Sequence, residues 1–257
     1  RILPKDISAV QAGIYARAYR LFDAGNNISY LFSVILLPLF AAVIKKGEDL
    51  QALVKQSFGL MLTMTCIIAI VCIFYSQNLM ELLYTIQDNE SIETYNLRIT
   101  ESSNILKILM GSFVSISVTY IFGTLLTANG NLKQLNIVAA VGVVINLTLN
   151  FIFIPVFEAK GAAMTSLCVQ FATCAIQFFI AKRIFNLKLG ISFWISILSF
   201  IILLVTTTSL LKSSDMYWLT SFIISLGLGI VLAFITKMLD FKELKSLLLS
   251  SVEHIKK

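Results

Sequence analysis

Charge is what this chain has least of. Only 13% of its 257 residues are Asp, Glu, Lys or Arg, against about 25% in soluble domains. With 58% hydrophobic residues and a mean hydropathy of +0.87, that shortage excludes a soluble globular domain and leaves an integral membrane protein. Histidine is nearly absent: the single one, His254, sits in the terminal tail as a solvated residue. The four cysteines, Cys66, Cys72, Cys168 and Cys174, lie inside apolar runs without CxxC spacing, which excludes metal or disulfide chemistry. No GxxxxGK[ST] loop is present, so nucleotide hydrolysis is not encoded. A net charge of +6 and pI near 9.1 could suggest nucleic acid, but the basic residues fall between apolar runs and form no patch. They read as membrane-flanking lysines, with no nucleic-acid partner.

What is present is seven uncharged runs of 21 to 25 residues, at 24–44, 56–80, 108–132, 134–157, 161–181, 189–211 and 216–236. Each is long enough to cross a hydrocarbon core of about 30 Å as a helix. Barrel strands would be shorter and would alternate polar with apolar residues, which these runs do not. The expected fold is therefore an all-α, polytopic membrane helix bundle of about seven spans. Asn129-Gly130-Asn131 and Lys133 between the third and fourth runs predict a tight turn and an antiparallel hairpin. Pro38 and Pro155 fall near span ends, where a missing backbone donor is best tolerated.

Alternate loops separate by charge. One set, Lys45, Lys46, Lys55, Lys133, Lys182, Arg183, Lys188 and the tail lysines 237, 242, 245, 256 and 257, carries twelve positive charges. The opposite set, after the first span, holds only Arg98, Lys107, Lys160 and Lys212. The positive-inside rule then predicts a cytoplasmic C-terminus and an external start. Four stretches follow: an external lead-in and helix start over 1–23, membrane helices over 24–183, two trailing spans over 184–236, and a cytoplasmic tail over 237–257. The tail, with Leu244, Leu247, Leu248 and Ile255 among charges, fits an amphipathic helix on the inner surface. The chain starts at Arg1 with no initiator methionine and no signal peptide; it is expected to be a fragment with its upstream part missing.

Charges are costly in a bilayer, so their placement is informative. At 100° per residue, Arg20, Asp23, Asn27 and Tyr30 share an arc of about 80°, with Arg17 about 60° beyond it. Guanidinium forks hold phosphate oxygens bidentately, so this stripe suits an anionic group. Asp23 could hold Arg20 or take up a coupling proton. Anchoring the helix at Lys45 and Lys46 instead puts Asp23 at the outer boundary. Snorkelling arginines and an Arg20–Asp23 surface pair then account for the same residues. Further polar groups within spans are Asn146 and Asn150, one turn apart, and Gln170 and Gln177, two turns apart, with Ser112, Ser115, Ser117 and Thr119 on the third run. Such groups either bond across helices as packing glue or line a water-filled cavity.

An integral-membrane enzyme would need a general base or a metal-binding acidic cluster. The longest connection, 76–107, offers Asp88, Glu90, Glu93, Arg98 and Glu101 without His or Cys. A solvated acidic loop is the simpler reading, and no catalytic residue, metal ligand or cofactor is assigned.

Several short segments together resemble a known family. Gly13-Ile14-Tyr15-Ala16-Arg17-Ala18-Tyr19-Arg20-Leu21 opens a span and Leu36-Leu37-Pro38-Leu39-Phe40 closes it. Ala128-Asn129-Gly130 forms the hairpin, followed by Asn146, Asn150, Ile154-Pro155 and Gly161-Ala162-Ala163. Over about 13–183 the chain resembles the Wzx-like polysaccharide or oligosaccharide-lipid flippases, of the superfamily that also contains multidrug exporters of the MATE type. The resemblance implies one half, the C-terminal lobe, of a two-lobed transporter around a central cavity, with two trailing helices. It implies flipping of an undecaprenyl-pyrophosphate-linked oligosaccharide across the bacterial inner membrane for surface polysaccharide biosynthesis. Arg17, Arg20, Asp23 and Asn27 are then the substrate-binding candidates, and Asn146, Asn150, Gln170 and Gln177 the cavity-lining ones. The implied partners are the lipid-linked oligosaccharide, the bilayer, the missing N-terminal lobe of the same chain and a polysaccharide polymerase. A cation-coupled drug exporter related to MATE is the alternative within the superfamily, with Asp23 as its one carboxylate at the edge of a span. An enzyme acting on lipid-linked glycans is the alternative outside it.

Overall fold

The structure, a computed structural model, describes residues 5–86, 88 and 90–239. His254 and nearly all of the expected amphipathic tail lie outside the described residues. Among the described residues the chain is helical throughout, with no strand.

Seven helices follow in order: α1 (Lys5–Lys46), α2 (Gln51–Phe74), α3 (Ser76–Leu83), α4 (Ile92–Ala128), α5 (Leu132–Ile184), α6 (Ile191–Lys212) and α7 (Trp218–Ile235). Six of them are long and apolar enough to cross a membrane, and α5 is two spans joined at a reversal. Glu158, at φ 52° and ψ −130°, breaks the helix three residues after Pro155. Gly142 on the first arm (132–157) lies beside Val169 and Thr173 on the second (159–184), so the arms run antiparallel. Seven crossings result, as the hydropathy pattern requires. The reversal is tight enough to demand glycine, since a Cβ on Gly161 would stand 2.4 Å from the Phe153 carbonyl oxygen.

The ends of several spans differ from those read off the charges. The first helix continues upstream to Lys5, and at 1.5 Å per residue its 42 residues measure about 63 Å, twice a bilayer core. Its early turns are held by α4, which also starts early. Ser91 caps α4 by accepting the Thr94 amide at 3.2 Å. Ile99, Ile105, Leu106 and Leu109 then bury a stripe against Ile14, Ala18 and Phe22 of α1. Lys55 lies inside α2, and α2 ends at Phe74 where Met80 was expected; Tyr75 leaves helical geometry there and α3 begins. The Lys212 ammonium donates to the exposed Phe74 carbonyl at that break, a favourable cation at a helix C-terminus. The 129–131 turn forms as expected, with Gly130 at φ +76° and the Asn131 amide bonded to the Leu126 carbonyl. At positive φ glycine is strain-free.

Contacts fix the direction of every span. Ser29 meets Ser117 at 2.8 Å, Gly25 lies under Phe113, and Ser102 donates to the Ile14 carbonyl. Each pair differs by 88 in number, so α1 and α4 run parallel in constant register. Phe58 meets Phe122 while Ser76 bonds Ser103, making α2 antiparallel to α4. Gly111 faces Leu167 and Gly123 faces Gln177, so the second arm of α5 is parallel to α4. Phe193 beside Phe58 and Lys212 beside Phe74 make α6 parallel to α2. Tyr75 against Phe222 and Ile67 against Gly229 make α7 antiparallel to it. Lys45, Lys46, Lys55, Lys133, Lys182, Arg183, Lys188 and Lys237 thus collect at one end of the bundle. Arg17, Arg20, Arg98, Lys107, Lys160 and Lys212 collect at the other.

Candidate functional site

The site is built on α1 because that helix sits at the edge of the bundle. Ile14, Ala18, Phe22, Ser29, Ser33, Leu36 and Phe40 are buried, which is one helical face turned to α4. Arg20 and Asn27 lie about 180° from it, and both are exposed, while Asp23 is half-buried. Among the described residues Arg20 and Asp23 form no ion pair with each other. Arg20 makes no hydrogen bond to any described residue. The surface pair that would have neutralised this stripe is therefore not formed.

Arg17 is placed differently. Its guanidinium lies 5.8 Å from the Tyr84 ring centroid, and the Tyr84 hydroxyl donates to the Arg17 carbonyl at 3.2 Å. Its charged neighbours are Arg98, Glu90 and Arg20. Arg98 pairs bidentately with Glu90, Nε to Oε1 at 2.8 Å and the terminal nitrogen to Oε2 at 2.6 Å, with both side chains only 10% exposed. The same terminal nitrogen donates to the Thr85 carbonyl, and the guanidinium lies over the Tyr95 ring. The loop after α3 is thereby clamped between α1 and α4, and Arg17 belongs to the clamp as much as to the stripe. Of the acids of the 76–107 connection, Glu90 is held in this pair. Among the described residues no group of three His, Cys, Asp or Glu could hold a metal.

Depth follows from the α1–α4 register. The turn after α4 stands level with about Ala41. Counting back at 1.5 Å per residue puts Tyr30 about 16 Å, Asn27 about 21 Å, Asp23 about 27 Å and Arg20 about 31 Å above that end. Against a core of about 30 Å, Tyr30 and Asn27 are at hydrocarbon depth and Arg20 is at its outer edge. Exposed polar groups at such depth are unsupported by lipid and call for water or a polar ligand.

The other candidates separate. The Asn150 amide donates to the Asn146 carbonyl oxygen at 2.9 Å, and both are half-buried on the first arm of α5. Gln170 is half-buried about one turn away across the hairpin. Gln177 is 8% exposed, with its Oε1 unpartnered and packed beside Gly123 of α4; it sits in a helix–helix contact, away from Asn146 and Asn150. Two α4 hydroxyls bond back to their own helix, Ser117 to the Phe113 carbonyl and Thr119 to the Ser115 carbonyl, and Ser117 also meets Ser29 of α1.

Two features had no counterpart in the sequence reading. One is the Glu90–Arg98 clamp, whose partners are too far apart in sequence for a helical pairing signal. The other is an apolar groove of about 460 Å³ walled by α2, α4, the second arm of α5 and α6, including Phe58, Val118, Phe171, Phe178, Trp194 and Ile197. Aromatic residues from runs scattered along the chain meet there, and only the tertiary fold brings them together.

Known proteins fit this architecture. A solved structure described as lipid II flippase MurJ, inward closed conformation, superposes with a TM-score of 0.73 at 16% sequence identity, over 91% of this chain and 48% of that one. The chain thus shares that fold and spans about half the length of that protein. No curated protein sequence matches it. The family described as lipid II flippase MurJ matches residues 7–236. The resemblance to Wzx-like polysaccharide flippases is corrected by this match: it holds for the wider superfamily of lipid-linked flippases and MATE-type exporters, and the family within it is another. The family's description is that of a flippase, a transporter and not an enzyme. By the match over nearly its whole described length, this chain belongs to the lipid II flippase MurJ family.

Proposed function

We propose that this chain forms one lobe of a flippase that carries lipid II, an undecaprenyl-pyrophosphate-linked peptidoglycan precursor, across the bacterial inner membrane. The observation that carries the reading is the polar column Arg20, Asp23, Asn27 and Tyr30. It is continuous along one flank of α1 from the outer boundary to hydrocarbon depth, opposite α4 at Arg20 and Asn27 and beside it at Tyr30, which meets Tyr120. An unpaired guanidinium at the top of that column suits a pyrophosphate, which it can grip with two parallel hydrogen bonds. The groove lined by Phe178 and Trp194 offers an apolar path for an isoprenoid tail while the headgroup travels in the polar one. The end of the bundle rich in lysine is the cytoplasmic one, which supports a cytoplasmic C-terminus. Asn146, Asn150 and Gln170 add a second polar patch to the same lobe; Gln177 contributes to packing.

Reconstitution distinguishes the substrate. The full-length protein in vesicles is expected to translocate lipid II faster than an undecaprenyl-pyrophosphate-linked surface-polysaccharide repeat unit. Faster movement of the repeat unit would return the substrate to surface polysaccharide synthesis.

A further inference from the structure

A ladder of aromatic rings follows the polar column, anchored on the core at Phe22 and Tyr15 and exposed at Tyr19 and Tyr30. Tyr15 and Tyr19 stack at 5.7 Å with an interplanar angle of 23°, and Tyr19 meets Phe22 at 5.3 Å. Lower on the same side, Tyr30 meets Tyr120 of α4 edge to face at 6.0 Å. Tyr19 is 41% exposed and Tyr30 52% exposed, so both offer ring surface that none of the described residues covers. By helical periodicity Tyr15, Tyr19, Asp23, Asn26 and Tyr30 share one side of α1.

Tyrosines often mark the membrane interface, where one end of the ring is wet. That account suits Tyr15 and Tyr19 but fails for Tyr30, whose depth of about 16 Å in the register above is near the bilayer centre. An exposed phenol at that depth, with the exposed Asn27 amide and the half-buried Asp23 carboxylate on the same part of the helix, suits a ligand that is polar and apolar at once. A pyranose ring has that character: its axial C–H face packs on an aromatic ring, and its equatorial hydroxyls donate to amide and carboxylate oxygens. Tyr19 and Tyr30 stand about 16 Å apart along the helix, the reach of a short oligosaccharide.

We propose that Tyr19, Tyr30 and Tyr120, with Asp23 and Asn27, form a saccharide-contacting surface that reads the sugar portion of the lipid-linked substrate, separately from the pyrophosphate contact at Arg20. This assignment rests on the flippase reading and deepens it. It divides the headgroup between two contacts on one helix: an anion contact at Arg20 on the outer boundary, and a glycan surface that starts level with it at Tyr19 and runs inward to Tyr30.

The test uses two probes with the full-length protein in detergent or nanodiscs: lipid II, and undecaprenyl pyrophosphate, which carries no sugar. Tyr30→Leu and Tyr120→Leu are expected to weaken lipid II binding about tenfold each, the scale of a lost aromatic contact. Tyr120→Leu, outside the polar column, should leave undecaprenyl pyrophosphate binding unchanged, which also reports an intact fold, and Tyr30→Leu should weaken it far less than lipid II. Tyr30→Phe, which keeps the ring, should retain most of the affinity. Equal loss for both probes, or no loss for lipid II, overturns the glycan subsite. A wild-type protein that binds neither probe overturns the flippase reading itself.

Discussion

Replacing Arg20 by alanine in the full-length protein is expected to slow lipid II transport by about tenfold to a hundredfold, with protein level and folding unchanged. The size follows from a charge-assisted hydrogen bond, worth about 1.5–3 kcal/mol when its partner is charged. The variant should fold because Arg20 is exposed and bonds to nothing within the described lobe. Arg17→Ala should be milder for transport and harsher for stability, since Arg17 rests on Tyr84 and its carbonyl receives the Tyr84 hydroxyl. Arg20→Lys should restore part of the rate, because a point charge attracts the pyrophosphate without the bidentate grip. Initial rates in proteoliposomes at matched protein content measure all three. Unchanged transport in Arg20→Ala would remove Arg20 from the substrate path.

The second large effect belongs to the outer clamp. Glu90→Ala leaves the Arg98 guanidinium buried without its carboxylate, and removing one partner of such a pair typically costs about 3–5 kcal/mol. The wild-type pair is bidentate and both side chains are 10% exposed, so solvent offers little relief. The expected result is a marked fall in the unfolding temperature of the purified protein and release of the 84–91 loop to protease. Pairing Glu90→Leu with Arg98→Met should recover much of the loss, because two apolar groups leave no orphaned charge. A stability unchanged by Glu90→Ala would show that Arg98 finds water there.

The fold was legible because its governing signal is coarse. Seven apolar runs between basic loops give seven crossings and their alternation, and both survive errors of several residues at each end. Those errors have one cause. Charge spacing reports where a helix leaves the hydrocarbon, while helix length is decided by partners. Ile14, Ala18 and Phe22 find Ile99 and Leu106, so α1 and α4 both continue into the polar zone. The α5 reversal was legible as two runs, but the backbone demand at Gly161 depends on Phe153 approaching from the other arm.

The site was legible in part for the same reason. Arg20, Asp23, Asn27 and Tyr30 align by periodicity along one helix, which sequence carries directly. That Arg17 leaves this group for Tyr84 depends on where the loop after α3 lands. Likewise Gln170 and Gln177 share a face in sequence, yet the close approach of α4 at Gly123 closes over Gln177 alone. The family resemblance rested on short apolar elements that relatives share, enough for the superfamily and insufficient to separate a polysaccharide flippase from a lipid II flippase.

The central claim is that the exposed column on α1 faces a water-filled substrate path rather than lipid. Asn27→Cys tests it most directly, in a full-length background with Cys66, Cys72, Cys168 and Cys174 replaced. A thiol reacts as the thiolate, which needs water around it. At the hydrocarbon depth of Asn27, reaction with a membrane-impermeant maleimide in intact membranes therefore reports an aqueous path. The account predicts rapid labelling that excess lipid II suppresses. A cysteine that stays unlabelled in membranes but reacts once the protein is unfolded would contradict it, and would leave Arg20 and Asp23 as snorkelling charges at the outer surface.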